Sequence, residues 1–577
     1  MFKKSKSSSS INIFSGISQH MSKQKVKRLD NPKAWHNCFH KEITSRIDED
    51  IFSPLYSKDN GRPNASIRIL VAMLILKDGN DWTDEQLFEA CNFNILVGYA
   101  LGLSNLSDNA PSEATYYNFK VALLKYEQDK GINLLEKCFQ SLTKDQIFRY
   151  QVSGGSVRMD SKLIHSNVAK NTRLQLCVGV MTKFYKSLED CSVKLIEGSD
   201  KELLDQMSGK TVEQYTYRLD KKSGAARLEV CGTMIYRLIE LFSDNDTQEY
   251  SLLKRLWNDH FEIKKDEDDD SDQIKLKNKK DQTGCTLQSA HDEDAAYRKK
   301  IGSKTQIITG YVTNITETCA VTPSVEEGDS KEKPLNLITD IQTEKATFSD
   351  DKFLIPAIVN TRKILNKEIK NVLSDGAYNS VINEQFSNFK DKEFEWFITA
   401  IQGVEGNYDF EKIGEQQYRV TDRRNGKIQL TVLTKSGKYR IEDDYSKTRY
   451  RYLEPKAITN YFRRKKIKQY PQWVHSLRAN SEATIHQVFC KLDGMKSKYR
   501  GLFKHHQYAI NRCFWTNFRR ILAKRAKLDK KVANLLICWL RFITCLTTII
   551  FRFFFKTKLT NKIIYRTSEK CLFSRTF

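Results

Sequence analysis

The 577-residue sequence lacks the cysteine pattern of a disulfide-stabilised or zinc-stabilised protein. Its 13 cysteines are scattered singly, without a Cys-x-x-Cys pair. An odd number of unpatterned cysteines in a chain of this length is typical of reduced thiols in a cytosolic setting. The segment 36–40 (His-Asn-Cys-Phe-His) offers possible zinc ligands, but no second ligand cluster follows at the spacing of a zinc finger. We therefore interpret this segment as structural.

The sequence also lacks a long apolar segment that is free of charge, and we see no internal repeat. Residues 7–10 are all serine, at the place where a secretory signal has its apolar core, so no such signal is expected. Residues 535–555 are strongly apolar, but Arg541 and Arg552 interrupt them. Because charges inside a membrane helix are costly, we expect a buried terminal helix or a poorly ordered apolar tail here.

Positive charge is what the sequence has in excess. Lysine and arginine number 95 against 71 acidic residues, which gives a net charge of +24. Much of the excess lies in residues 1–46 and 461–530. A balance this basic favours a polyanionic partner, most often a nucleic acid and less often an anionic membrane. A merely basic soluble enzyme is the alternative that charge alone leaves open.

The first part of the chain reads as helical. Residues 1–46 are interpreted as a basic, serine-containing arm, and residues 47–150 are predicted to form an all-helical domain. Dense apolar residues over 67–76 predict one helix, and Thr83 is a plausible N-cap for the next. A helical domain with basic flanks can bind DNA, but helical packing needs no such function.

The remainder predicts an α/β domain with two insertions. Residues 151–520 contain strand-like runs separated by helical ones. Within them, residues 165–300 are mostly helical, and residues 393–453 are rich in short alternating runs with turn signals between them. Residues 521–577 are predicted to form a basic, apolar C-terminal tail. The fold class predicted is therefore α/β, with a mixed sheet preceded by helices.

Three acidic residues stand in settings suited to one metal site. Asp160 lies in the strand-like run 156–164, and Asp375 follows an apolar run and precedes a glycine. Glu482 lies in the helical segment 478–486, four residues after Arg478. Ligands of α/β sheets gather at the carboxyl ends of strands. Two such aspartates and a helical glutamate can hold two Mg²⁺ (or Mn²⁺) ions that activate water and stabilise a phosphoryl leaving group.

Each of these residues also has a simpler interpretation. Asp160 is equally plausible as a charge on an edge strand, and Asp375 as a turn residue, since Asp-Gly is a routine turn pair. Arg478 and Glu482 resemble an ordinary surface ion pair, which is worth little. His505 and His506 are adjacent on a helix and cannot face one metal, so core or DNA contacts are expected. The order of the three acids along one basic chain favours the metal site.

The segments around these acids resemble those of the DDE transposases of bacterial insertion sequences, whose catalytic domain is RNase H-like. Residues 61–63 and 82–87 are similar to part of that family's helical N-terminal domain. Residues 159–164 resemble its first-aspartate strand, and residues 374–378 (Ser-Asp-Gly-Ala-Tyr) its second-aspartate motif. The resemblance covers about residues 47–520.

The segment around Glu482 provides the most specific part of the resemblance. Arg478 and Glu482 have the family's Arg-x-x-x-Glu spacing, and Lys491 and residues 499–502 (Tyr-Arg-Gly-Leu) follow as in related transposases. Two positions depart from the family pattern. His475 stands where tyrosine is common, and Phe489 stands where lysine is common, with Lys491 two residues later.

The resemblance implies an enzyme that cuts at the ends of its own mobile element and joins them to target DNA. The partners implied are the element's terminal inverted repeats and the target DNA, with a homodimer in the DNA complex, two Mg²⁺ ions, and neither a small-molecule cofactor nor a membrane. A cytoplasmic, nucleoid-associated location follows. An inactive or domesticated transposase that only binds DNA, and a Mg²⁺-dependent nuclease without strand transfer, are the alternatives. The residues implied as catalytic and metal-binding are Asp160, Asp375 and Glu482, and those implied as DNA-binding are Arg478, Lys491, Tyr499 and Arg500.

Overall fold

The computed structural model describes residues 1–4, 17–105, 108–217, 221–265, 272–278, 282–300, 305–320, 334–389, 393–401 and 405–554. A central mixed sheet lies between helices on both faces, with a helical region before it and insertions within it. This mixed helix and sheet architecture, with helices preceding the sheet, agrees with the α/β class predicted from the sequence.

The helices before the sheet share one apolar core. Their apolar side chains pack against one another and against the C-terminal part of the chain. The predicted N-cap at Thr83 is present: its hydroxyl accepts from the backbone of Gln86, whose side chain accepts from the backbone of Thr83. The helices are α1 (Lys23–Leu29), α2 (Trp35–Glu42), α3 (Ile67–Asn80), α4 (Asp84–Phe93), α5 (Ile95–Leu101), α6 (Glu113–Lys130) and α7 (Leu134–Arg149).

The segment predicted as a basic arm contributes to this core. Cys38 and Phe39 of α2 are buried, as is Ile43 just after it. Phe39 meets the ring of Phe518 edge-on, with 5.2 Å between the ring centroids. The predicted boundary at residue 46 therefore falls inside the packed region, because the apolar side chains of α2 are part of it.

The helical insertion follows the first strand of the sheet. Strand β1 (Ser156–His165) leads into helices whose apolar faces form a separate core, closed by a two-stranded hairpin. The elements are α8 (Arg173–Ser187), α9 (Asp190–Val193), α10 (Gly198–Ser208), α11 (Val212–Tyr215), α12 (Lys221–Leu241), α13 (Gln248–His260), β2 (Phe261–Lys265) and β3 (Asp272–Leu276).

The chain then returns to the central sheet. Its remaining strands and the helices between them are β4 (Ala296–Lys300), β5 (Gln306–Thr318), β6 (Ile338–Lys345), α14 (Leu354–Leu365), β7 (Asn371–Ser374), α15 (Val381–Ser387) and β8 (Glu395–Ile398). Strands β4 and β8 fall at the ends of the ranges 165–300 and 393–453 predicted as insertions. Both ranges are therefore too long, because these two strands pair within the central sheet.

The sheet is mixed, with β1 at its centre. The strand order is β4-β5-β1-β7-β8, and β6 also pairs with β5. Strands β4, β1 and β6 run antiparallel to β5, whereas β7 is parallel to β1 and β8 is parallel to β7. The pairing of β7 with β1 stops at Leu373 and Arg158, so the residues that follow β7 lie beside the middle of β1.

The β-rich insertion forms two small three-stranded sheets over a helix. Its strands are β9 (Tyr408–Lys412), β10 (Tyr418–Asp422), β11 (Ile428–Leu430), β12 (Val432–Leu433), β13 (Tyr439–Glu442) and β14 (Tyr450–Leu453). Helix α16 (Pro455–Lys468) follows, and its Ile458, Tyr461 and Phe462 pack against the aromatic residues of these strands.

Two further helices complete the described chain. These are α17 (Gln472–Phe489) and α18 (Leu502–Phe554). Helix α18 continues through residues 520 and 521, so the predicted boundary of the C-terminal tail lies inside a helix. Among the residues that the structure describes, no helix is long and apolar enough to cross a membrane.

The two faces of β1 carry alternate residues, as a pleated strand requires. Met159 packs with the apolar side of α14. Arg158 points the other way and donates to the carbonyl oxygen of Leu477 in α17 at 2.8 Å. The sheet therefore lies between α14 on one face and α17 with α18 on the other.

A buried carboxylate on β5 fixes α17 and α18 to the sheet. Glu317 is 1% exposed and accepts from Arg158 at 2.7 Å, from Arg520 of α18 at 2.6 Å, and from Thr484 of α17 at 2.6 Å. Burial acts to raise the pKa of Glu317, but the charges of Arg520 and Arg158 outweigh it and hold the pKa below its ordinary value. Glu317 is therefore a paired, buried anion shared by four elements.

Helix α18 also ties the helical region to α17. Arg512 is buried and donates to the carbonyl oxygens of Asp78 and Gly79 at the end of α3, at 3.0 and 2.8 Å. Its Nε donates to the carbonyl oxygen of Val488 at 2.7 Å. A Cβ at Gly79 would lie 2.5 Å from the ring of Trp515, so the close approach of α3 to α18 requires glycine.

His505 lies in the core of this junction. It is fully buried, stacks on Tyr311 with 5.0 Å between ring centroids, and its Nδ1 is 2.9 Å from the hydroxyl of Ser497. His506 instead lies 3.1 Å from the hydroxyl of Thr343. The expectation that the two histidines do not share one site is confirmed. Burial lowers the pKa of His505 to about 3, so this imidazole is neutral at physiological pH.

Replacing Glu317 tests the role of the shared anion. Glu317→Ala leaves two buried guanidinium groups without a partner, and removing one member of a buried ion pair costs about 3–5 kcal/mol. We expect the free energy of unfolding to fall by this amount, measured as a lower urea midpoint. Glu411→Ala, which breaks an exposed pair with Arg419, is the control and changes stability by less than about 1 kcal/mol. Equal effects of the two changes would contradict this role.

The neutral state of His505 predicts a pH dependence of stability. Below about pH 6.5 the unfolded chain protonates this imidazole, whereas the folded chain does so only near pH 3. The free energy of unfolding therefore decreases as pH falls below about 6.5. His505→Gln is expected to flatten this slope in urea unfolding between pH 6.5 and 5, and His20→Gln, at an exposed position, is the control. An unchanged slope in His505→Gln would refute the linkage.

Candidate active site

Asp160 lies in the middle of the central strand, on the face covered by α17. Its carboxylate is 8% exposed, and Oδ1 accepts from the backbone N–H of Ser161 at 2.9 Å. On the other side, Oδ2 lies 3.4 Å from the hydroxyl of Ser481 and 3.5 Å from Nη2 of Arg478, both on α17. The strand thus presents a nearly buried carboxylate to a helix that carries one guanidinium.

Asp375 follows β7, the parallel neighbour of β1. In the register of the two strands Arg158 pairs with Leu373, and Asp160 and Asp375 lie two residues beyond that pair. Adjacent strands are about 4.8 Å apart, so Asp375 lies beside Asp160 at the point where β7 ends.

A tight turn after β7 sets the orientation of Asp375. Its Oδ1 accepts from the backbone N–H of Ala377 at 2.9 Å. A Cβ at Gly376 would collide with the carbonyl oxygen of Ala400, so this position requires glycine. The turn is anchored from below by Tyr378, whose hydroxyl donates to Asn314 at 2.6 Å.

Glu482 lies on α17, one helical turn after Arg478. Its Oε1 is 3.1 Å from Nη1 of Arg478, and its side chain is 73% exposed. Arg478 itself is mostly buried and contacts Asp160 with its other terminal nitrogen. One guanidinium therefore lies between the carboxylates of Asp160 and Glu482, which are 322 positions apart in the sequence.

The charges of the three acids act on one another. Burial raises the pKa of Asp160 to about 6; the positive charge of Arg478 opposes this, and the negative charges of Asp375 and Glu482 add to it. Burial also raises the pKa of Asp375, while its bond from Ala377 and the charge of Arg478 oppose the shift. The site holds clustered negative charge that a single guanidinium only partly neutralises.

The donor set suits a hard divalent cation, because all three candidate ligands are carboxylates. In the described part of the chain, however, no group of three or more acidic, histidine or cysteine side chains stands close enough to hold a metal ion. The reason is local: the guanidinium of Arg478 lies where the carboxylates of Asp160 and Glu482 face each other. Binding of metal at all three acids therefore requires Arg478 to move.

The residues predicted to bind DNA differ in their surroundings. Lys491 is exposed just beyond α17. Arg500 is also exposed, and its Nε donates to the carbonyl oxygen of Asn167 at 2.8 Å. Both stand at the surface, as a phosphate contact requires. Arg478, which is also predicted to bind DNA, lies inside the candidate site.

Tyr499, also predicted to bind DNA, makes an internal contact through its hydroxyl. Its hydroxyl donates to the buried Asp78 of α3 at 2.8 Å, and the ammonium of Lys77 lies 5.5 Å from its ring centroid. Asp78 needs such donors because its carboxylate is removed from water, and Asn511 supplies another. Tyr499 thus joins α3 to the segment before α18, and its hydroxyl is directed inward rather than toward DNA.

Sequence reasoning missed the residues that support the acids. Ser481 contacts Asp160, and Asp350 accepts from the hydroxyl of Ser161 at 2.7 Å. Asp350 precedes α14 and reads as an ordinary acidic residue at a helix start. Glu317 lies in a strand without any motif. No local signal marks these residues, since each acts on a partner far away in the sequence.

Comparison with known families bears on the helical region. Residues 27–121, from α1 into α6, match the family model described as a transposase domain (DUF772). The match supports a transposase function. It therefore supports a DNA-processing enzyme and, in general terms, a protein that binds DNA. The three candidate acids lie outside the matched residues. No curated protein matches the chain, and no solved structure matches it.

The contact between Arg478 and Asp160 can be tested directly. Arg478→Gln removes the cation that opposes the raised pKa of Asp160, so this pKa is expected to rise further above about 6. Carboxyl ¹³C shifts of aspartate-labelled protein measure it, with Asp160→Asn to assign the signal. Arg440→Gln, in the β-rich insertion, is the control and leaves the pKa unchanged. A pKa that stays near 6 in Arg478→Gln would show that the two groups are not coupled.

Proposed function

We propose that the chain is a DDE transposase that cuts at the ends of an insertion sequence and joins them to target DNA by two-metal phosphoryl transfer. One observation carries the proposal: Arg478 contacts both Asp160 and Glu482, and Asp375 follows the strand beside Asp160. Arg478 thus links two of the three acids, the third follows the neighbouring strand, and the helical region of the chain matches a transposase domain.

The sheet supports an RNase H-like catalytic domain as part of this proposal. The strand with the first aspartate is central, with antiparallel partners on one side and parallel strands on the other. The second aspartate follows a parallel strand, and the glutamate lies on a helix packed on the same sheet. The helical insertion follows β1, and the β-rich insertion separates β8 from α17, so neither interrupts the sheet edge where the acids lie.

The residues of the site would have different roles in the reaction. Asp160, Asp375 and Glu482 would hold two Mg²⁺ ions, which activate the attacking oxygen and stabilise the departing one. Burial of the two aspartates keeps water from screening their charge. Arg478 partly neutralises the acids in the free protein, and its planar guanidinium suits bidentate binding of a DNA phosphate once it leaves them. The Glu317 network keeps α17 against the sheet while Arg478 moves.

Positive charge near the site supports DNA as the substrate. Helix α16, which precedes the glutamate helix, exposes Lys465 and Lys466, and Lys491 and Arg500 follow α17. Phosphate contacts of this kind provide affinity without reading sequence. We propose the terminal inverted repeats of the element and the target DNA as partners, bound by a homodimer.

Replacement of the acids tests the proposal. Asp160→Asn, Asp375→Asn and Glu482→Gln are each expected to abolish Mg²⁺-dependent cleavage and joining while DNA binding persists, because each removes a metal ligand without adding bulk. The measurement is a strand-transfer assay with labelled element ends, beside an electrophoretic shift for binding. Asp340→Asn replaces another buried aspartate, bonded to Asn360 and Gln342, and is the control.

The products separate the alternatives. New joints between element and target DNA support a transposase, whereas cleavage without joints identifies a nuclease. DNA binding without any metal-dependent cleavage in the unaltered protein identifies an inactive DNA-binding relative. Cleavage that survives any one of the three substitutions would refute the assignment of that acid.

A further inference from the structure

Asp350 lies under the strand that carries Asp160, on the face opposite Arg478. Its side chain is 12% exposed, Oδ1 accepts from the hydroxyl of Ser161 at 2.7 Å, and Oδ2 lies 3.5 Å from Nη2 of Arg298. It occupies the turn between β6 and α14. The carboxylate is therefore nearly buried and has partners on two different strands of the sheet.

Ser161 connects this carboxylate to the candidate active site. Its hydroxyl donates to Asp350 on one face of the sheet, and its backbone N–H donates to Oδ1 of Asp160 at 2.9 Å. Neighbouring residues of a strand project to opposite faces. One residue thus makes a bond to Asp350 and a bond to Asp160, so a shift of its backbone moves the Asp160 carboxylate.

The position of Asp350 does not depend on α17. Arg298 of β4 donates to the carbonyl oxygens of Ala346 and Phe348, each at 3.2 Å, and so fixes the turn that leads to Asp350. This anchoring remains when Arg478 and Glu482 move. Asp350 therefore keeps its position on one face of β1 while Arg478 and Glu482, on the side of α17, move.

The same turn also supports the second aspartate. The side-chain amide of Asn383 donates to the carbonyl oxygen of Asp351 at 2.7 Å and to that of Tyr378 at 2.8 Å. Tyr378 closes the turn that begins with Asp375. The segment around Asp350 is therefore bonded to β1 through the hydroxyl of Ser161, and it is linked to the turn after Asp375 through the side chain of Asn383.

We infer that Asp350 is a positioning residue of the proposed metal site: through the hydroxyl of Ser161 it holds the Asp160 carboxylate in the orientation that binds a divalent cation. The inference rests on the proposed function. Groups that orient metal ligands by hydrogen bonds typically change metal affinity by about 10–100-fold when they are removed. Asp350 itself touches neither metal nor DNA in this assignment.

The test measures Mn²⁺ binding to the full chain without DNA, by calorimetry. Asp350→Ala and Ser161→Ala each break the bond and are expected to weaken Mn²⁺ affinity about tenfold or more. Asp350→Asn keeps an oxygen that accepts from Ser161 and is expected to stay close to the unaltered protein. Asp340→Asn, a buried aspartate on β6 without a bond to Ser161, is the matched control.

The outcomes separate this inference from the proposed function. If the unaltered protein binds Mn²⁺ and Asp350→Ala and Ser161→Ala bind it equally well, the positioning role is overturned and the proposed function stands. Equal weakening in Asp350→Asn and Asp350→Ala overturns the hydrogen-bond relay, because charge rather than the bond then matters. If the unaltered protein neither binds Mn²⁺ nor cleaves DNA, both proposals fall. Circular dichroism verifies folding, and Ser161→Ala carries the test if Asp350→Ala does not fold.

Discussion

The buried anion of Glu317 is the interaction on which the candidate site depends. A carboxylate that is 1% exposed is tolerable only because two guanidinium groups and a hydroxyl meet it. Those partners come from β1, α17 and α18, so satisfying one charge docks two helices on the sheet. In that docked state Arg478 of α17 contacts Asp160, and Glu482 contacts Arg478. The geometry of the candidate site thus depends on the pairing of one buried charge in the core.

The helical region and the sheet form one packed structure. A single apolar core joins the early helices to residues of β5, β6, α17 and α18. Arg512 binds the carbonyl ends of α3 and α17 at once, and Asp78 of α3 receives bonds from Tyr499 and Asn511. The part of the chain that matches a transposase domain is therefore continuous with the part that holds the three acids. A displacement of the helical region would therefore strain the part of the chain that holds the three acids, and the reverse also holds.

The sequence was informative wherever a feature is local. Local patterns located β1 at 156–164 and α3 at 67–76, and the cap at Thr83 follows from its neighbours alone. Long-range partners were inaccessible, because Glu317 and Arg158 are 159 residues apart and Ser481 and Asp160 are 321 apart. Tyr499 followed a family motif, but the buried Asp78 decides where its hydroxyl points. The boundary at 46 followed charge and the one at 520 followed the extent of the family resemblance, whereas apolar packing continues across residue 46 and α18 continues across residue 520.

The ion pair between the two ends of the chain has a consequence for biosynthesis. Glu42 of α2 is 1% exposed and is bound by Arg149 at 2.6 Å and by Arg525 of α18 at 3.0 Å, across 483 residues in the second case. A ribosome adds about 5–20 residues per second, so Arg525 emerges tens of seconds after Glu42. During that interval Glu42 has Arg149 as a charged partner but lacks Arg525, so the contact between α2 and α18 forms only after this part of α18 has been translated.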